Sequence, residues 1–289
     1  MLDLANKYRD ELATKIGHEN VELGYGKIQD LKLDLNLVNG YLKDNPINSA
    51  EDLANYESFI QKSKAENPLI DDDSIDVILS NCVLNLVKPE LKEQMFEEMF
   101  RVLKRGGRVA ISDIVADEDV PQHLQDDPEL WSGCISGAFR EDEFIEAFAK
   151  AGFYGMEIVK RDEKPWQTVE GIEFRSVTIV AYKGKQGECL ERNQAVIYKG
   201  PWKKVLDDDG HMLERGQRMA VCDKTFKIYG KEPYASQIEL IEPIEEIELE
   251  DATEFDCKRT ARRHPRETKG LDYDLTAEGE NCGIDGDCC

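Results

Sequence analysis

Two cysteines in this chain stand where thiol chemistry has room to work. Cys82 lies in Ser80-Asn81-Cys82-Val83-Leu84-Asn85-Leu86, directly after the apolar run Ile75-Asp76-Val77-Ile78-Leu79. Cys134 lies in Trp131-Ser132-Gly133-Cys134-Ile135-Ser136-Gly137, small residues flanked by a tryptophan. The first context reads as the exit of a buried strand, where open α/β sheets place their ligands. The second reads as a loop with space beside the thiol. Two thiols converging on one crevice suit a soft partner, because thiolates prefer soft centres to hard ones. Packing is the competing reading: a free cysteine often serves as a small buried hydrophobe, and either position alone fits that.

The chain holds eight cysteines. Cys189, Cys222 and Cys257 have no role that their residues argue for and read as structural thiols. Cys282, Cys288 and Cys289 cluster at the end, where adjacent thiols staple nothing but can capture a soft ion.

The elements that must position the central pair follow from periodicity. Leu4, Tyr8, Leu12 and Ile16 recur at helical spacing, and Val21–Gly26 reads as a short strand. Residues 31–69 form a polar helical stretch with few apolar anchors, expected as an insertion packed outside the core. A strand at 75–80 leads to a helix from Leu91 to Leu103, with Met95, Phe96, Met99 and Phe100 on one face. Gly106-Gly107 reads as its left-handed stop. A strand at 108–114, a helix over 141–151, and strands at 154–160 and 174–182 follow. Strands alternating with helices predict a mostly parallel α/β sheet, and two final strands without a helix predict an antiparallel hairpin at one edge. Beyond Gly187 the pattern changes to a small mixed α+β domain over 188–240, with strands at 195–202 and 217–229 around Asp207–His211. Residues 241–289 read as an acidic linker, a basic cluster from Lys258 to Arg266 that pairs with it, and a cysteine-rich tail.

Composition narrows the function. With 37 Lys and Arg against 60 Asp and Glu, the net charge of −23 argues against nucleic acid or an anionic membrane as partner. No apolar run approaches the ~20 residues of a spanning helix. The start, Met1-Leu2-Asp3-Leu4, lacks the basic and apolar regions of a secretory signal, so a cytoplasmic protein is expected.

The order strand, helix, Lys-Arg-Gly-Gly, strand, helix, Ala-Gly-Phe, strand, strand resembles the second half of a class I S-adenosylmethionine-dependent methyltransferase. The finer resemblance is to the arsenite methyltransferases. It is carried by Ser80-Asn81-Cys82-Val83-Leu84-Asn85-Leu86-Val87, Ile111-Ser112-Asp113, Trp131 to Ala138, Gly171 to Ser176, Tyr198-Lys199-Gly200-Pro201, and Ala220 to Thr225. The resemblance implies a Rossmann-like methyltransferase domain over 1–187 and S-adenosyl-L-methionine as cofactor. It implies Cys82 and Cys134 as catalytic, arsenic-ligating thiols, joined by a third thiol from elsewhere. Ile28, Gln29 and Asn81 become cofactor contacts on the same ground, with Asp30 beside them. Arsenite as a thiol adduct becomes the substrate, with a thiol reductant such as thioredoxin or glutathione as partner.

One departure is plain. This fold grips its cofactor with a glycine-rich turn after the first strand and an acidic ribose contact after the second, and neither occurs in these residues. The sequence reads as starting inside the cofactor half, which predicts an exposed apolar strip along the sheet edge and weak cofactor binding. Two other readings stay open: a methyltransferase for a small organic acceptor, with dispensable Cys82 and Cys134, and a non-catalytic thiol-rich metalloid binder.

Overall fold

The computed structural model describes residues 2–258, 261–270 and 272–273. Contacts divide the chain into two units, Met1–Gly184 and Lys185 onward. The tail cysteines Cys282, Cys288 and Cys289 lie outside the described residues.

The first unit opens with α1 (Leu2–Ile16), α2 (Leu35–Asp44) and α3 (Ala50–Glu66). The apolar stripe of α1 faces outward, with Leu4 61% exposed and Tyr8 50%. Val21–Gly26 is not a strand. Its glycines instead close on Leu69, whose side chain a Cβ at Gly26 would meet at 2.4 Å. Asp34 and Ser49 cap α2 and α3 by accepting the N–H groups of Asn36 and Asp52. The Leu69 and Ile70 N–H groups bond the carbonyls of Lys32 and Leu31 at 3.1 and 3.0 Å. The two ends of the helical stretch therefore meet, and it leaves and rejoins the fold at one place.

The sheet follows: β1 (Ile75–Asn81), α4 (Pro89–Val102), β2 (Leu103–Ala116), the short α5 (Gln122–Gln125) and α6 (Pro128–Ser132), β3 (Phe139–Arg140), α7 (Glu141–Lys150), β4 (Tyr154–Arg161), β5 (Gln167–Val169) and β6 (Ile172–Tyr182). Strand order is β1-β2-β6-β4, with β3 on β2 and β5 on β6. β1 and β2 are parallel, Asn81 opposite Ser112. β6 is antiparallel to both β2 and β4, which places the expected hairpin at the far edge. Burial drives this arrangement: Met95, Phe96 and Met99 of α4 and Phe144 and Phe148 of α7 are fully buried against Val109, Ile111 and Ile179. Phe96 and Phe148 meet edge to face at 4.8 Å, a geometry that aligns the positive ring edge with the negative face.

β1 is less buried than its apolar run suggested. It forms the other edge of the sheet, and Val77 and Leu79 are 42% and 77% exposed. The stop after α4 also differs from the glycine reading. The helix ends at Leu103, which is already extended, and Gly106 takes its positive φ of 87° beyond it. There the Gly106 N–H bonds the Lys183 carbonyl at 2.7 Å.

The second unit contains β7 (Leu190–Glu191), β8 (Ala195–Tyr198), β9 (Lys204–Leu206), β10 (Met212–Glu214), β11 (Arg218–Ala220), α8 (Asp223–Tyr229), β12 (Ile238–Ile241), β13 (Thr253–Glu254) and α9 (Pro265–Lys269). β8 is central in the order β11-β8-β12, and β9 pairs with β10 across the Asp207–His211 turn. The strand expected over 217–229 is only β11; the rest is α8, started by the Cys222 sulfur accepting the Thr225 N–H. Structure continues past residue 240, where β13 pairs with β7. Two arginines of the basic cluster pair with carboxylates outside the acidic linker. Arg263, almost fully buried, holds Glu191 at 2.6 and 2.8 Å and Glu267 at 2.8 Å, while Arg262 reaches Glu214.

Candidate functional site

Cys82 is the first residue after β1, and its N–H bonds the Ser112 carbonyl at 3.0 Å. Cys134 follows α6 in the small-residue loop. The structure brings the two together: the Cys134 thiol lies 3.8 Å from the Cys82 carbonyl oxygen, within reach of a weak S–H donation. Both residues take left-handed backbone conformations, φ 53° at Cys82 and 62° at Cys134. Each costs about 1–3 kcal/mol for a residue with a Cβ, and such strain persists only where surroundings impose it.

What imposes it is a buried polar frame. Asn85, fully buried, donates its amide to the Ile114 carbonyl at 2.7 Å and to the Cys134 carbonyl at 3.0 Å. One side chain thus ties the Cys134 loop to the C-terminal end of β2. Its Oδ1 has no partner among the described residues. Asp113, 1% exposed, accepts the Leu84 N–H at 2.9 Å and its neighbour Ile114 N–H at 2.8 Å, fixing the turn that follows Cys82. Gly137 must be glycine, because a Cβ there would fall 2.1 Å from the Asn85 carbonyl oxygen. Lys92, buried on α4, donates to the Gly137 carbonyl and sits 4.1 Å from the centre of the Phe139 ring.

The frame sets the electrostatics. Burial raises the pKa of Asp113, against the pull of the Ile114 and Leu84 N–H groups and of the Lys92 charge. Burial also lowers Lys92 to about 8, against the pull of Asp113. Both thiols are pushed up, first by burial and then by the Asp113 carboxylate; the Cys82 thiol adds to the effect at Cys134. Neither cysteine is prepared as a free thiolate.

The remaining sequence candidates are less concentrated. Asn81 is exposed at the end of β1, with its Oδ1 3.6 Å from the Cys82 sulfur. Ile28 packs partly on the main core. Gln29 is half-buried in the short Lys27–Asp30 bridge, where Asp30 pairs with Lys64 at 2.5 Å. Among the described residues, no hydrogen bond joins Ile28 or Gln29 to the two cysteines. Sequence reading missed the roles of Asp113, Asn85 and Lys92. Asp113 and Asn85 lay inside quoted motifs, but Lys92 looked like any lysine of an amphipathic helix. Three further thiols, scattered in sequence, also meet: the sulfurs of Cys189, Cys222 and Cys257 lie within 4.8 Å of one another.

Known proteins place this arrangement in context. Residues 43–152 match the family described as Methyltransferase domain, and residues 185–273 match a Domain of unknown function (DUF8838). A protein of Halobacterium salinarum named arsenite methyltransferase is 45% identical over 92 residues, 32% of this chain and 23% of that one. One of the same name from Aquipseudomonas alcaligenes is 28% identical over 252 residues, 83% of this chain and 62% of the other. The mouse arsenite methyltransferase is 31% identical over 175 residues, 57% of this chain and 46% of its own. The chain thus spans between 23% and 62% of the length of these relatives. An arsenic(III) S-adenosylmethionine methyltransferase structure from Chlamydomonas reinhardtii is 23% identical, covering 88% of this chain and 77% of that one at a TM-score of 0.49. Its central residues thus match a methyltransferase domain, and the relatives it resembles are named arsenite methyltransferases.

Proposed function

We propose that this protein methylates trivalent arsenic, holding it between Cys82 and Cys134 and drawing the methyl group from S-adenosylmethionine. The observation that carries the reading is the meeting of these two residues beside the end of β1, the Cys134 sulfur 3.8 Å from the Cys82 carbonyl.

The raised thiol pKa values fit arsenous acid as the incoming form. Each thiol displaces one hydroxide, and the thiol proton leaves with it as water, so no thiolate has to form first. Arsenic stays trivalent and keeps its lone pair. The third position on arsenic is open to hydroxide or an added small thiol. No general base is needed at arsenic, which has no proton to lose. The work of the chain is therefore positioning, worth about 7–11 kcal/mol where it is complete. Asn85, Asp113 and Gly137 perform it by fixing both cysteine backbones.

The residues present fit one flank of the cofactor. Asn81 at the strand end, and Ile28 and Gln29 in the turn beside Asp30, would hold it; a glycine-rich turn after a strand is not among these residues. When bound, the cofactor supplies an electrophilic sulfonium methyl. A thiol reductant would return the arsenic to its trivalent state after each transfer. The cytoplasm suits such a partner, and no described helix is long and apolar enough to cross a membrane.

The test is arsenite-dependent transfer of labelled methyl from S-adenosylmethionine. The unsubstituted protein should yield methylated arsenic, and Cys82→Ser and Cys134→Ser should each lower the rate at least about 100-fold. Absence of arsenite-dependent transfer in the unsubstituted protein, or equal rates in all three, contradicts the proposal.

A further inference from the structure

The second unit gathers three thiols that the site above does not use. Cys189 precedes β7, Cys222 begins α8, and Cys257 follows β13, so three separate segments converge to place the sulfurs within 4.8 Å of one another. All three are free. Packing alone does not demand this, since only Cys222 is fully buried and the other two are partly exposed. Antiparallel pairing of β7 with β13, Glu254 opposite Leu190, brings Cys189 and Cys257 together; the Phe255 N–H bonds the Cys189 carbonyl at 2.8 Å. Arg263, bidentate on Glu191, braces the same strand.

We propose that Cys189, Cys222 and Cys257 form a second soft-ion site, which binds trivalent arsenic as a trithiolate. The choice of arsenic rests on the proposed function; the thiol cluster does not. Coordination number separates arsenic from the commonest alternative. A structural zinc site is closed by four ligands, with zinc–sulfur bonds of about 2.3 Å. Among the described residues, no fourth cysteine, histidine or carboxylate joins these three. His211 lies against Cys257, but its Nε2 bonds the Cys257 carbonyl at 3.1 Å and its Nδ1 faces Asp207 at 2.9 Å. Three thiols, with no fourth ligand among the described residues, match a pyramidal ion that keeps a lone pair. The wall beside Cys222 is mostly apolar, with Leu213, Met219, Val221 and Phe255. It suits a neutral trithiolate better than the anion three thiolates make with zinc; Lys224, which donates to the Gly187 carbonyl nearby, would offset part of that charge. The stoichiometry closes without a co-reactant: arsenous acid and three thiols give the trithiolate and three waters, arsenic remaining trivalent.

The full chain with Cys82, Cys134, Cys282, Cys288 and Cys289 changed to serine isolates the site. The reduced, chelator-treated protein is titrated with arsenite, and the product is read by arsenic absorption-edge spectroscopy. One arsenic per chain is expected, with three sulfur neighbours and no oxygen. Cys189→Ser and Cys257→Ser in this background should weaken binding at least tenfold and put oxygen in the arsenic shell. Cys222→Ser is the control for folding, because serine also accepts at a helix start; it should keep the thermal midpoint while losing one sulfur neighbour. No bound arsenic, binding indifferent to Cys189→Ser, or an equivalent of zinc that arsenite fails to displace overturns the proposal. Methyl transfer is not measured, and Cys82 and Cys134 are absent, so this result is independent of the test of the proposed function.

Discussion

A left-handed backbone is uncommon for any residue with a Cβ, and Cys82 and Cys134 both have one. Their neighbours explain why the strain holds: Asn85 and Asp113 spend buried hydrogen bonds on the two loops rather than on each other. Asp113 does a second thing. Its negative charge raises the pKa values of both thiols, after the larger effect of burial. Asp113→Asn keeps an acceptor oxygen but removes the charge and leaves one N–H facing an amide. We expect a loss of about 1–3 kcal/mol of stability, the range for an unsatisfied buried group. Iodoacetamide should then alkylate Cys82 faster at pH 8, because the thiol ionises more easily. A slower or unchanged alkylation rate in the folded variant would show that Asp113 does not govern the thiols.

At the scale of elements, the turn of the β9–β10 hairpin holds an ion pair with a pH signature, and its carboxylate also ties the hairpin to α8. Asp207 accepts from His211 Nδ1 at 2.9 Å and from the Tyr229 hydroxyl at 2.6 Å. Burial opposes its charge, but these partners hold Asp207 at about 2, below the ordinary 3.8. Hydrogen bonding to Asp207 raises His211 above its ordinary 6.5. The Asp207 contribution, about 2 kcal/mol, is complete above pH 3.8 and lost as pH falls through about 2. That of His211 is complete below pH 6.5 and lost as pH rises through its higher folded value. The second unit should therefore be most stable between about pH 4 and 6.5. Thermal unfolding followed at that unit should weaken toward pH 9, and His211→Gln should flatten the alkaline limb. An alkaline limb of unchanged slope in His211→Gln would assign it to other groups.

Over the whole molecule, what could be read from sequence and what could not divide along physical lines. β1, β2, β4 and β6 were legible because β-branched runs between helices admit few other folds, and α4 because Met95, Phe96 and Met99 mark a single face. The cysteine pair was legible from its flanking residues. α8 was not: Val221, Phe226, Ile228 and Tyr229 favour a strand, and the helix rests on the local Cys222 cap together with burial of Phe226 and Tyr229 in the second core. Lys92 was hidden because burial, not residue type, makes it part of the site. The Cys189, Cys222 and Cys257 cluster was hidden because pairing of β7 with β13 creates it.

The central claim is that Cys82 and Cys134 hold one arsenic between them. It is tested most directly in a chain whose other six cysteines are serine. Arsenite should bind at one per chain and protect both thiols from alkylation. The arsenic absorption edge should show two sulfur neighbours and one oxygen in the absence of added thiol. Removing either cysteine should weaken binding at least tenfold. No binding, or binding that survives the loss of Cys82 or Cys134, would contradict the account.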